Sequence, residues 1–172
     1  MKTRLISTPI DLLHATVITA LLLLVLTHLP ASYQSYKIRQ RVMAGLLQAD
    51  PAKELVVANA LNGNNLAQGW TNSTADTHAG ISIEPHSGII TITYPADIDG
   101  GNKTLVLVPM YLRENRVSPL ADEVHSHAPM DAANILWTCT SSLTLSRTAF
   151  IADHLGTLQS KYAPTACRFS YR

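Results

Sequence analysis

The chain has 172 residues, a formal net charge of +1 and only 15% charged residues, below the usual quarter of a soluble protein. That length suits one domain with a core and is short for two. The near-neutral balance excludes a general electrostatic case for binding nucleic acid or an acidic surface.

Residues 1–8 form a leader-like basic segment with Lys2 and Arg4. From Leu12 to Leu29 the chain reads LLHATVITALLLLVLTHL, without a formal charge. Eighteen helical residues would span about 27 Å, close to a hydrocarbon core of about 30 Å. Threonines in such a helix can return their hydroxyls to the backbone. Leucines cover every face of the segment 21–26, unlike the single stripe of a core helix. The leading reading of 9–30 is therefore a retained membrane helix. A cleaved secretory signal ending near Pro30-Ala31-Ser32 stays open beside it.

Past Pro30 the pattern stays helical and becomes amphipathic. Tyr33, Tyr36, Val42, Met43, Leu46, Leu47, Leu55, Val56 and Leu61 recur at three- and four-residue steps. Asp50-Pro51 reads as an N-cap followed by a first-turn proline, so the helix over 31–61 should break and restart there. The Asn-, Gly-, Ser- and Thr-rich stretch 62–80 then ends it.

The remainder reads as a sheet between about 80 and 140. Residues 80–84 alternate, 85–88 are a turn cluster, and 89–94 are rich in β-branched side chains, which makes a hairpin. Strands over 104–108 and 134–140 bring the total to four. The expected class is α+β: a long apolar, then amphipathic, N-terminal α-helix packed on a four-stranded antiparallel sheet, with a head over 31–172. Residues 110–133, holding Arg113, Glu114, Arg116, Asp122, Glu123, His125 and His127, lack periodicity and read as a long exposed loop.

Two cysteines, Cys139 and Cys167, permit one intramolecular bridge. Export would favour that bridge; two free thiols in a cytosolic chain is the alternative. His125-Ser126-His127 with Asp122 and Glu123 resembles a divalent-ion ligand set, although alternate residues converge on a metal only when a strand or tight turn aims them. A solvated loop is the preferred reading. His154 beside Asp153 does not make a base–orienter pair on regular structure. Phosphate loops, GxSxG, HExxH and paired-carboxylate motifs are absent from the sequence. The expectation is no catalytic residue, no metal site, no cofactor and no enzyme. Asn72-Ser73-Thr74 and Asn102-Lys103-Thr104 are sequons, and the Ser/Thr-rich stretch near Cys139 would suit O-linked sugars.

Taken together, the segments Tyr33-Gln34-Ser35-Tyr36-Lys37-Ile38-Arg39, Ile81-Ser82-Ile83-Glu84-Pro85, Gly88-Ile89-Ile90-Thr91-Ile92-Thr93-Tyr94, Thr104-Leu105-Val106-Leu107-Val108-Pro109, Ile135-Leu136-Trp137-Thr138-Cys139 and Lys161-Tyr162-Ala163-Pro164-Thr165-Ala166-Cys167-Arg168 resemble, in order and spacing, a type IV pilin with a single C-terminal disulfide. The likeness runs from about Pro30 to Arg168. It implies that Cys139 and Cys167 close a loop over 139–167. It further implies an inner-membrane subunit that assembles with other pilin subunits into a helical homopolymer, helices inside and heads outside. Implied partners are the inner membrane before assembly, the pilus assembly machinery and a prepilin peptidase; nucleic acid is not among them. At the N-terminus the nearest match to the family motif is Ile6-Ser7-Thr8-Pro9-Ile10-Asp11-Leu12. Ser7 is the candidate mature N-terminus and Asp11 the candidate fifth-position acid that meets a neighbour's amine. Ile6 stands where the family carries glycine.

The implied function is a structural or adhesive subunit of a pilus or pilus-like filament, held first in the inner membrane and then displayed outside the cell. A minor pilin or pseudopilin, a single-pass anchored binding domain that does not polymerise, and, least favoured for want of a catalytic constellation, a secreted enzyme or inhibitor with a cleaved signal are the alternatives.

Overall fold

A computed structural model describes residues 9–72, 79–144 and 148–168, without the side chains of 9–12 and 25–32. The chain divides into two compact units, Met1–Lys37 and Ile38–Arg172.

The first unit carries most of helix α1 (Pro9–Gln48), which does not stop at Pro30. Its described apolar side chains are exposed, Leu21 to Leu24 included. The threonines behave as helix chemistry dictates: Thr16 Oγ1 donates to Leu13 O at 2.8 Å and Thr19 Oγ1 to Ala15 O at 2.6 Å. Among the described residues no helix is long and apolar enough to cross a membrane. Within the apolar run the described side chains are those of 13–24 alone.

In the second unit α1 is followed by α2 (Asp50–Leu61) after one intervening residue. The break falls where the sequence places it, but the cap differs. Ala49 is the N-cap, and it keeps helical dihedrals. Asp50 is already helical and accepts from Lys53 Nζ at 2.9 Å. The packed stripe agrees with expectation only in part: Val42 and Val56 are fully buried, and Leu46 and Leu55 pack against the core. Buried positions run Val42, Gly45, Ala49, Ala52, Val56, then Asn59 and Ala60, a four-three spacing that keeps one helix face inward. Met43, Leu47 and Leu61, expected on that face, are 42%, 64% and 44% exposed. Small residues win the inner face because they let the helix approach the sheet closely. A Cβ on Gly45 would lie 2.6 Å from Tyr94 Cε1. The Tyr94 hydroxyl donates to Val42 O at 2.8 Å, and burial raises the phenol above its ordinary range.

The sheet has five antiparallel strands rather than four. These are β1 (Gly80–Ile83), β2 (Ile90–Thr93), β3 (Thr104–Arg113), β4 (Arg116–Pro119) and β5 (Ile135–Thr140). Their order is β1-β2-β3-β4, with β5 on the free side of β3. β3 is central: residues 104–107 pair with β2, 110–113 with β4 and 106–111 with β5. Pro109, which lacks an N–H, stands in the interval that neither β2 nor β4 pairs.

The segment expected to be a loop is therefore mostly ordered structure. β3 turns into β4 through Glu114-Asn115, both at positive φ (49° and 66°), with Arg113 opposite Arg116. That conformation matches the twist of a two-residue hairpin. Helix α3 (Leu120–His125) follows, anchored by fully buried Leu120. Glu123 ties the hairpin to α3: Ser118 Oγ and Arg113 Nε each donate to its carboxylate at 2.9 Å. The Ser118 hydrogen bond, together with Arg113 and Arg116, holds this carboxyl below its ordinary value of 4.5. A carboxyl depressed in the folded state stabilises above its unfolded value, and that contribution disappears as pH falls through the folded one. Glu123→Gln should thus lower stability at neutral pH and flatten the loss below about pH 4.5. Tm measured across pH 2–7 in both proteins checks this.

The core lies between α1–α2 and the sheet, and includes Ile81, Ile90, Ile92, Leu105, Leu107 and Tyr111. β3 is buried on its second face as well: Val106, Val108 and Met110 pack with Ile89 and Ile151. Ile151 comes from α4 (Ala149–Ala152).

Candidate functional site

The candidate functional surface is the segment between the two cysteines, with the helix face the head leaves uncovered. Cys139 sits on β5, opposite Leu107 of β3. Cys167 ends a short 3-10 turn, 165–167, that begins after Pro164. The two are joined by a disulfide across a separation of 28 residues, with Cα atoms 4.4 Å apart.

Hydroxyls fasten this loop from within. Cys167 O accepts from Thr144 Oγ1 at 2.7 Å and from Ser141 Oγ at 2.9 Å. Thr144 Oγ1 also accepts from the Ser141 N–H at 2.7 Å. Thr140 Oγ1 donates to His154 O at 2.7 Å. A buried carbonyl without a donor is costly, which explains why hydroxyl residues cluster here. The same burial corrects the expectation of O-linked sugars for Thr140, Ser141 and Thr144: all three are buried and committed to the fold.

The returning strand of the loop docks on the start of β3. Thr157 N and Leu158 N both donate to Thr104 O at 2.9 Å, and Thr104 N donates to Thr157 Oγ1 at 3.0 Å. Gln159 grips Asp99 through its backbone N–H and its side-chain amide. Further on, Lys161 O accepts from Arg39 Nε at 3.1 Å and Arg168 Nη2 at 3.3 Å. The outer surface carries Leu143, 72% exposed, and half-buried Phe150, which contacts the His154 ring with centroids 4.7 Å apart. His154 Nδ1 bonds Phe150 O at 2.7 Å.

The candidate metal set does not assemble. Glu123 is held by Arg113 and Ser118, and among the described residues no three His, Cys, Asp or Glu side chains stand together as a metal site. Asp11 lies in α1, with its side chain outside the described residues, and Ser7 lies outside them altogether. The sequon at Asn72 runs into undescribed residues; Asn102 is exposed in the β2–β3 turn. The hydroxyl latch and the Thr104 docking point went unread in the sequence, because each joins residues far apart in the chain.

A model of the pilin family, bacterial filament proteins, matches residues 39–168. Among solved structures, the chain is similar to a type IV pilin from Pseudomonas aeruginosa strain Pa110594. Identity is 27%, the TM-score is 0.55, and the match covers 76% of this chain and 97% of that one. No curated protein matches the chain.

Proposed function

This chain belongs to the pilin family, and from that premise we propose that it is a structural subunit of a type IV pilus or pilus-like filament that waits in the inner membrane by its apolar helix. The observation that carries this reading is a helix with two apolar faces and only one of them covered. In the head, Val42, Gly45 and Ala49 face the sheet, while Met43 and Leu47 lie on roughly the opposite side and are exposed. In the other unit the described leucines of α1 are exposed as well. Burying one such side chain is worth about 1.5–3 kcal/mol. Lipid covers the N-terminal leucines before assembly, and helix-to-helix packing replaces lipid afterwards. Supporting partners are other copies of the chain, the assembly machinery and a peptidase that cuts before Ser7, leaving Asp11 as the fifth-position acid. An adhesive role falls to the outer surface of the disulfide loop. Nothing in this reading requires catalysis.

Leu47→Glu tests it. The variant should fail to enter sheared, pelleted fibres, while its head unfolds within about 0.5 kcal/mol of the parent. Fibres formed normally by Leu47→Glu would refute the bundled-helix reading. Mass spectrometry of the mature chain, reduced and unreduced, reports the Ser7 start and the disulfide together; a start near Ala31 would indicate secretion instead.

A further inference from the structure

The chain is near neutral as a whole, but the positive charge of the head is unevenly placed. Among the described residues Arg41, Lys53 and Arg113 each pair with a carboxylate, those of Asp97, Asp50 and Glu123. Arg39, Lys161 and Arg168 form no ion pair among the described residues, and these three meet at one place. Lys161 O accepts from both Arg39 Nε and Arg168 Nη2, so two guanidinium groups stand on a single carbonyl. Arg168 Nε donates to Ala163 O at 2.8 Å. In the same turn the Lys161 ammonium lies 4.6 Å from the centroid of the Tyr162 ring.

A carbonyl dipole does not neutralise two like charges held beside it. The carboxylates bonded to the same two segments are already engaged, Asp97 by Arg41 and Asp99 by the backbone and side-chain amide of Gln159. Both terminal nitrogens of Arg39, and Nη1 of Arg168, make no hydrogen bond to protein among the described residues. Arg39 and Lys161 are exposed and Arg168 is half-buried. Guanidinium N–H groups in this state match the paired oxygens of a phosphate.

Chain order indicates which phosphate. Arg39 follows the apolar run Leu12–Leu29, with Tyr33 and Tyr36 between them. Tyrosines and cations that follow an apolar helix are residue types of the lipid–water boundary. A helix held in lipid makes any contact between the head and the headgroups intramolecular, so that a few weak ion contacts suffice. We propose that Arg39, Lys161 and Arg168 together bind the headgroup phosphates of anionic phospholipids while the subunit waits in the inner membrane. This rests on the membrane reading proposed above.

The test places the full-length chain, with ¹⁵N-labelled arginine, in nanodiscs of phosphatidylcholine, and replaces that lipid stepwise by phosphatidylglycerol. Incorporation into phosphatidylcholine alone reports on the apolar helix, and the Nε–H signals of Arg39 and Arg168 report on the headgroup contact. Those signals should shift saturably with the anionic fraction and revert at about 1 M salt. Lys161→Gln should raise the fraction needed for half-saturation about fivefold. It keeps the turn, because both arginines bond the backbone carbonyl of Lys161 and not its side chain. Lys161→Arg, which keeps the charge, should behave as the parent. A chain that incorporates but whose arginine signals ignore phosphatidylglycerol, or a Lys161→Gln response identical to the parent's, overturns the headgroup contact and leaves the membrane reading standing. A chain that fails to incorporate overturns the membrane reading, and this proposal with it. Inorganic phosphate or a DNA duplex that moves the same signals as strongly in phosphatidylcholine nanodiscs overturns lipid as the source.

Discussion

Replacing Cys139 and Cys167 together by alanine lowers the stability of the head by about 3.5 kcal/mol, and its Tm by about 10–15 °C. The loop closed by this bond spans a sequence separation of 28, and on the chain-entropy model a cross-link of that length removes this much freedom from the unfolded chain. Alanine is the better substitute because both cysteines are buried, Cys167 completely; serine would leave a hydroxyl needing a partner. Reduction of the parent protein should reproduce the loss, which separates the bond itself from the change of side chain. The native loop has other fastenings: hydroxyls of Ser141 and Thr144 on Cys167 O, and two N–H groups on Thr104 O. Equilibrium urea unfolding of the parent, the reduced parent and the double variant checks the figure. If all three shared one midpoint, those hydrogen bonds alone would hold the loop.

The parts of this fold legible in the sequence are those carried by local patterns. The β-branched run 89–94 and the turn cluster before it produce the β1–β2 hairpin within one residue of the expected ends, and Asp50-Pro51 marks the helix junction. The parts that escaped have weak local signals or depend on distant partners. Glu114-Asn115 makes a tight hairpin without glycine, so β4 reads as loop, and Pro109 hides the second half of β3. On α1 and α2 the stretch of the inward face between Val42 and Val56 is Gly45, Ala49 and Ala52, which carry little hydrophobic signal. The large side chains that dominate the periodicity, Met43 and Leu47, lie on the uncovered face. On the function proposed above, the residues the head does not use are those that would meet neighbouring helices. Buried Asn59 is a further case, since its amide donates to Leu66 O and Gln68 O and so fastens a loop the sequence shows only as polar. At the functional surface the cysteine pair was legible, and the pairing follows from having only two. The latch beneath it was not, because Thr144 and Cys167 meet only after the chain has folded back on β3.

Gly156→Ala should destabilise the head by about 3 kcal/mol, nearly as much as losing the disulfide. A Cβ at this position would lie 2.5 Å from Thr104 O, 2.7 Å from Thr140 O and 3.2 Å from Leu105 Cα. All three are backbone atoms, at the start of β3 and the end of β5, and none can yield as a flexible side chain would. Gly156 does not adopt positive φ, so the effect is one of space and not of conformational freedom. The segment must retreat, and with it go the two hydrogen bonds from Thr157 N and Leu158 N to Thr104 O, each worth about 1 kcal/mol. Fully buried Leu158 would be drawn outward with them. Leu158→Ala is the calibrating variant, with an expected cost of about 2–5 kcal/mol. Hydrogen exchange at the Thr157 and Leu158 amides should accelerate in Gly156→Ala through local opening, while amides of β1 and β2 should accelerate only as far as the loss of global stability requires. Combining Gly156→Ala with loss of the disulfide should cost less than the sum of the two, since both changes release the same stretch of chain. A strictly additive result, or a Gly156→Ala protein as stable as the parent, would mean that the returning strand is not clamped between Thr104 and Thr140, and that the surface of the loop is set by the disulfide alone.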